Sequence, residues 1–390
     1  MPLSFSSPLD LATIRQAFPA LAELTYLNVG TYGLMPEPAL AELMQAVTAF
    51  ERYGVASPID LDGKMNETRA AVARLLGADP GEIAFTRNAT DGVNLVLAGI
   101  DWRPGDEVIT STEEHPAIAH PLLYLQRRRE VRIRTVEVSP KAAEMTARLD
   151  GVLSSRTRLL AISQVPCETG ARLPAREMAT WAAAHGVLSL IDGAQALGTF
   201  PINVREIGCD YYTSNGHKWL CGPKGTGIFY ARRERLAGLS PAHVGAGSLE
   251  RADMGTGEAE PWLDGRRFEF GTRAWPLYAG LGASLAWVGA LGWDRIEQHM
   301  AALSAYLKER VARRPYLHLL TPRDWAESSG LTSFSMDGQQ APDLAATLRT
   351  RWRIHVRVVT HYNAIRVATA FFNNREDIDR LLAALDELAG

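Results

Sequence analysis

The chain predicts an α/β fold: a large unit on a mostly parallel seven-stranded sheet, then a smaller α+β unit at the C-terminus. Seven short apolar or β-branched runs in the first 231 residues carry this reading: IAFT (83–86), EVITST (107–112), VRIRTVEV (131–138), RLLAISQV (158–165), VLSLIDG (187–193), DYYTS (210–214) and GTGIFYA (225–231). Between most of them lie segments with apolar residues at helical spacing, and strand–helix alternation implies parallel strands covered on both faces. The last two runs are joined by a loop too short for a full helix, so the final strand is expected to run antiparallel.

Taken in order, residues 1–24 are expected to pack on the small domain, 25–265 to form the large domain, and 266–390 the small one. Within the large domain, LPAREMATWAAAHG is amphipathic and Gly186 is placed to close its helix. The Gly-, Glu- and Asp-rich stretch 245–265 lacks any period and reads as a long loop, a kind of segment that is usually functional or mobile. A helical region follows at 275–313, then the strand-like LTSFSM, HVRVVT and AIRVATA, and a last helix in REDIDRLLAALDEL. No internal repeat or low-complexity tract interrupts the 390 residues.

Composition bounds the function. Hydrophobic content of 46% and charged content of 22% are globular values, and a net charge of -3 argues against nucleic acid or an anionic membrane as partner. No apolar run approaches the roughly 18 residues of a membrane span, and the N-terminus lacks the basic and apolar regions of a secretory signal. The expected location is the cytoplasm. Three cysteines, Cys167, Cys209 and Cys221, suit a reducing compartment, and their spacing gives no metal site.

The most informative residues are SNGHKWLCGPK, 214–224. Lys218 stands there between a Gly/Ser-flanked turn and a Gly/Pro turn, 26 residues after Asp192 at the end of the apolar run LSLID. A carboxylate at the end of a buried strand is costly unless paired, and a pyridinium would be its partner. Lysine and acid together are what an enzyme needs to hold pyridoxal phosphate: an amine for a Schiff base, and an anion that keeps the ring nitrogen protonated. Other candidates fall at neighbouring strand ends, where open α/β sheets bind ligands. TRNATDG (86–92) opens a helix, so the amides near Ala89 and the Thr90 hydroxyl could hold a phosphate; Thr90 could equally be a helix cap. His115 in EEHPA could stack on a ring or be an ordinary loop histidine, and Gln195 could donate to the ring hydroxyl oxygen. His217 and Asn215 could add donors to phosphate.

TRNATDG, EEHPA, IDGAQ and NGHKWLCGPKG resemble, in order and spacing, the class V aminotransferase group of fold-type I pyridoxal-phosphate enzymes. The likeness runs from YLNVGTYGLMP to FFNNREDID. VLAGIDWRPGDEVITSTEEHPAI, RRFEFGTRAWPLYAGL and the Arg357/Arg366 pair are similar to cyst(e)ine C–S lyases, and HKWLCGPKG also to isopenicillin N epimerase-like proteins. The resemblance implies catalytic roles for Lys218, Asp192 and His115, and cofactor contacts from Ala89, Thr90, Gln195, Asn215 and His217. It implies further that Thr272 reaches the phosphate of a neighbouring subunit in a homodimer with shared active sites, and that Arg366, Arg357 and Asn28 bind an amino-acid substrate.

Departures from the pattern narrow the chemistry. Cysteine desulfurases of the group carry a nucleophilic cysteine shortly after the position of Arg357, but RVVTHYNAIR (357–366) has none. Cys221 lies just past the lysine and Cys167 at the strand end VPCETG; either could act, although a buried cysteine is usually packing. Arg366 is the expected clamp for the α-carboxylate, and Arg357 could hold a second carboxylate or pair with an acid of the fold. β-Elimination from a sulfur amino acid is the leading expectation, with transamination and epimerisation as alternatives. A non-catalytic regulator is disfavoured, because no DNA-binding module is appended.

Overall fold

The computed structural model describes residues 9–390. All seven expected strands form, as β1 (Ile83–Thr86), β2 (Glu107–Ser111), β3 (Arg132–Val136), β4 (Thr157–Ser163), β5 (Leu188–Asp192), β6 (Tyr211–Asn215) and β7 (Gly227–Ala231). Their order across the sheet is β1-β7-β6-β5-β4-β2-β3, and only β7 runs antiparallel to its neighbours, as the short connection before it requires. The central strands are buried on both faces, which explains their unbroken apolar sequences. β3 is one of the two edge strands, and its exposed positions include Arg134, paired with the buried Glu107 of β2. Because β1 to β6 share one direction, their C-terminal ends meet along one side of the sheet.

Helices α1 (Glu37–Tyr53), α2 (Leu61–Leu76), α3 (Ala89–Gly99), α4 (Pro116–Arg129), α5 (Ala142–Asp150) and α6 (Ala175–Ala184) belong to this half of the chain. Local signals fix their ends. Asn88 caps α3 through the N–H of Asp91, and α4 begins with Pro116 and ends in Arg127, Arg128 and Arg129, whose charges complement the carbonyl end. Gly186 follows α6 with φ +68, as its sequence position foretells.

The stretch expected to be a long loop contains an antiparallel ribbon, β8 (Leu249–Asp253) with β9 (Glu258–Pro261). The ribbon is mostly exposed, so it has no buried face to impose apolar alternation. Cross-strand pairs from Arg251 to Glu258 and Glu260, and a turn through Gly255 and Gly257, join its strands. The helical region after it divides into α7 (Trp275–Ala290) and α8 (Trp293–Ala312) at Gly292, whose φ is +88. α7 carries no charge and packs on α1 and α2, where the Thr68 hydroxyl donates to the carbonyl of Tyr278.

A second, antiparallel sheet has the order β10-β11-β13-β12, from β10 (Leu317–Leu319), β11 (Leu331–Met336), β12 (Arg357–Val359) and β13 (Ala364–Ala368). α8, α9 (Ala341–Trp352) and α10 (Arg375–Ala389) cover it around Leu307, Phe334, Leu348, Ile365 and Leu381. The N-terminal segment reaches this half: Arg15 donates to Asp377 and to the carbonyl of Phe372, and Phe18 packs on Phe371 and Phe372. We propose that the two sheets mark the two domains. No helix among the described residues is long and apolar enough to cross a membrane.

One buried ion pair ties the start of the large sheet to the segment before α7. Arg69 of α2 makes two hydrogen bonds to Glu269, at 2.6 and 2.9 Å, and Glu269 also accepts the N–H of Phe85 in β1. Both side chains are largely withdrawn from solvent. Glu269→Ala is expected to cost about 3–5 kcal/mol, because it leaves the guanidinium buried without its partner. Arg251→Ala in the exposed ribbon is expected to leave stability nearly unchanged. Thermal or urea unfolding of the two variants checks the contrast.

Candidate active site

A cavity of about 440 Å³ opens where the C-terminal ends of the parallel strands meet β12 and β13. Lys218 projects from the loop after β6. The loop is locked by the N–H of Gly216 on the carbonyl of Thr226, and by the N–H of Gly222 on the carbonyl of Gly216. The chain near residue 33 clasps it from outside: the N–H of Gly33 donates to the carbonyl of His217, and Lys224 donates to the carbonyl of Gly33 at 2.8 Å. A Cβ at Gly33 would lie 2.2 Å from the carbonyl oxygen of Lys218, so only glycine permits this approach. Burial pulls the Lys218 ammonium down to about 8, with Asp192 opposing.

Asp192 ends β5, is 3% exposed, and takes one side-chain hydrogen bond among the described residues, from the N–H of Ala194 at 2.8 Å. Burial raises its proton affinity, against that bond and Lys218. Gln195 is fixed at both ends: its Nε2 donates to the carbonyl of Gly30 and its Oε1 accepts from the indole of Trp219. One N–H of the amide is left over. His115 caps α4, its Nδ1 accepting the N–H of Ala117 at 3.0 Å. Burial, with help from Lys218, drops its proton affinity to about 4, so the ring is neutral with its proton on Nε2.

At the far end of the cavity the start of α3 presents Asn88, Ala89 and Thr90. The helix cap is Asn88, which leaves Thr90 free of that task. Asn215 is not simply turned toward a ligand: its Oδ1 accepts the N–H of Ala89 at 2.9 Å and so sets the position of the helix start. His217 is held to about 4, mainly by burial and then by Lys218, and its buried Nδ1 has no partner.

β13 and β12 supply the opposite wall. Arg366 is 3% exposed; its Nη1 donates to the carbonyl of Cys167 at 2.7 Å and its Nη2 to the hydroxyl of Thr31 at 3.3 Å. Its buried Nε has no partner. Burial brings the guanidinium down to about 10, and the neighbouring Arg357 contributes. Arg357 stands directly across the strand pair from Arg366 and forms no ion pair among the described residues. Like charges opposed in this way are destabilising, which points to an anionic ligand between them.

The expected cofactor can be tested on these walls. A buried amine, a buried carboxylate with an oxygen to spare, and an unpartnered buried ring nitrogen of His217 in a cavity that also holds a helix N-terminus suit the carbonyl, the ring nitrogen and the phosphate of pyridoxal phosphate in turn. The residues present therefore fit the group.

Ten of the expected site residues line one cavity: Ala89, Thr90, His115, Asp192, Gln195, Asn215, His217, Lys218, Arg357 and Arg366. Two do not. Asn28 lies behind Thr31, whose hydroxyl donates to its Oδ1, and Thr272 is exposed outside its own chain's cavity. The structure adds Thr31, Tyr32, Arg87, Ser163 and Lys224 to the walls. It also adds Glu114 behind them, which accepts from Ser111 and Ser163 and is pushed up to about 7 by burial. Thr31 and Glu114 lie inside the quoted motifs YLNVGTYGLMP and EEHPA, but nothing in their local sequence singles them out as site residues.

The family profile described as "Aminotransferase class-V" matches residues 45–381. A cysteine desulfurase of Pectobacterium carotovorum is 30% identical over 402 residues, covering 96% of this chain and 97% of that protein. The isopenicillin N epimerase of Streptomyces clavuligerus is 31% identical over 382 residues, covering 93% and 94%. A solved complex of the cystine C–S lyase C-DES with its reaction product cysteine persulfide superposes with a TM-score of 0.87 at 31% identity, over 94% of this chain and 98% of that one. The chain is a member of the aminotransferase class-V family.

Proposed function

We propose that this class-V enzyme is a pyridoxal-phosphate-dependent C–S lyase, releasing pyruvate and ammonia from cystine, cysteine or a cysteine conjugate by β-elimination. The observation that carries the reading is the pair Arg366 and Arg357, opposed across β12 and β13 without carboxylate partners above a buried lysine. Likeness to C-DES, a cystine C–S lyase, supports it. So does the stretch 357–366, which lacks a cysteine nucleophile for desulfurase chemistry.

When bound, pyridoxal phosphate supplies a carbonyl that takes up the substrate amine and a ring that accepts electrons from Cα. The remaining roles belong to the chain. Arg366, rigidly held through Nη1 and Nη2, offers Nε to the α-carboxylate, and Arg357 is placed for a second carboxylate such as cystine carries. Lys218, with a proton affinity near 8, can be neutral at working pH and take the Cα proton. Asp192 would hold a protonated ring nitrogen, and His115, neutral and anchored through Nδ1, would wall one face of the ring. The proposed homodimer would bring the exposed Thr272 to a second chain's cofactor.

Incubation with cystine, cysteine, and alanine plus a keto acid tests the reaction type. Pyruvate and ammonia from cystine are expected. Amino transfer to the keto acid without pyruvate from cystine would establish an aminotransferase, and inversion at Cα an epimerase.

Borohydride reduction is expected to fix the cofactor on Lys218, as read by peptide mass spectrometry; label on another lysine contradicts the site. Asp192→Asn is expected to fold and retain cofactor yet lose most turnover, since an amide cannot hold a cationic ring nitrogen. Arg366→Lys is expected to lower kcat/KM by about 30-fold or more with every substrate, equivalent to roughly 2 kcal/mol for a lost charged hydrogen bond. Arg357→Lys should bear mainly on substrates with a second carboxylate, and equal losses with cystine and cysteine would contradict that division. Sedimentation is expected to show a dimer, with weaker cofactor retention in Thr272→Ala; a fully active monomer contradicts this arrangement.

A further inference from the structure

The two arginines of the cavity are held in different ways. Arg366 is tied through Nη1 and Nη2, whereas the side chain of Arg357 makes no hydrogen bond or ion pair among the described residues. Its reach therefore depends on its backbone. That backbone is β12, three residues long and at the edge of the small sheet, paired only with β13. The turn at 360–363, which joins the two strands, is left to fix the free end of β12.

This turn is bonded in two directions. Asn363, at φ +43, accepts the N–H of Ala341 at 2.8 Å and donates to the carbonyl of Gln339, which ties the turn to the start of α9. Tyr362 faces the large sheet: its hydroxyl donates to Oε1 of Glu113 at 3.1 Å, across 249 positions of sequence. Burial and then Glu113 push the phenol up to about 12, so it remains a donor. The other oxygen of Glu113 accepts the Thr169 hydroxyl at 2.6 Å. Glu113 stands two residues before His115, and Thr169 two residues after Cys167, whose carbonyl receives Arg366. One carboxylate thus gathers the loop of His115, the turn beneath Arg366 and the hairpin of Arg357. Neither Glu113 nor Tyr362 lines the cavity itself.

We propose that Tyr362 and Glu113 form a latch that holds the β12–β13 hairpin against the large sheet, fixes the reach of Arg357, and so sets the preference for a substrate with a second carboxylate. The selectivity rests on the C–S lyase reading, in which Arg357 takes that carboxylate. Tyr362 is a positioning residue: it acts through β12 and touches no substrate. A hydrogen bond to a carboxylate is among the stronger kinds, and a guanidinium clamp depends on exact placement. With the latch open, Arg366 keeps its own bonds to Cys167 and Thr31, so the grip on the α-carboxylate survives. Arg357 has no such bonds, so the loss falls on the distal carboxylate alone.

Tyr362→Phe removes only the hydroxyl, and holoenzyme carrying it tests the latch by amide hydrogen exchange and by kinetics. Exchange across 357–363 is expected to quicken. KM for cystine is expected to rise about 10-fold, the size of one lost hydrogen bond to a charged group, with kcat and the KM for cysteine unchanged. Glu113→Ala, which removes the acceptor, is expected to do the same. In an Arg357→Ala background, Tyr362→Phe is expected to add nothing further with cystine. Unchanged exchange at 357–363 overturns the latch, whether or not the protein cleaves cystine. Additive losses in the double variant, or equal losses with cystine and cysteine in Tyr362→Phe while Arg357→Ala remains selective, overturn its action through Arg357. Faster exchange, together with an Arg357→Ala variant that costs both substrates alike, upholds the latch and contradicts the second-carboxylate reading.

Discussion

The site depends on keeping one amine dry. Lys218 loses more by leaving water than Asp192 returns to it, so its ammonium is weakened to about 8 instead of forming a tight ion pair. The same burial drives Asp192 in the opposite direction and leaves a carboxylate with spare hydrogen-bonding capacity. Two opposite charges held in this state are costly unless a further group stands between them, one able to take a cation at one end and an amine at the other. Much of the large domain serves that arrangement: buried parallel strands place the acid and the lysine at adjacent strand ends, and the Gly33 clasp and the Trp219–Gln195 bond hold the loop shut over them.

The second constraint is that the site belongs to both sheets. The amine and the acid come from the large one, but the arginines come from β12 and β13. Arg366 reaches across to the carbonyl of Cys167, and the turn at 167–170 is bonded at every carbonyl to residues of the small half or its approaches. Thr31, held by Asn28, closes the gap from the N-terminal side.

How legible this was in the sequence follows from which residues act locally. The seven strands could be read because burial on both faces leaves continuous apolar runs, and the antiparallel β7 because its connection is too short for a helix. Lys218 and Asp192 were legible because chemistry demands an amine and an acid on adjacent strand ends. The ribbon at 249–261 was not, since an exposed two-stranded element needs no alternation and is held by charge pairs instead. Asn215 could be placed at the site, but its bond to the N–H of Ala89 spans 126 positions and leaves no local trace. Glu114, Thr31 and Lys224 were invisible as site residues for the same reason: partners distant in the chain, Ser163, Arg366 and Gly33, give them their roles.

Titration of the Lys218 amine tests the central claim most directly. Cofactor-free protein can be exposed briefly to an amine-selective acylating reagent across pH, and the label at Lys218 quantified by peptide mass spectrometry against exposed lysines such as Lys141. Half-maximal labelling of Lys218 near pH 8, well below the exposed lysines, is the predicted result. An inflection at the ordinary lysine value of 10.5 would show an amine that is solvated or fully paired, and would contradict the account.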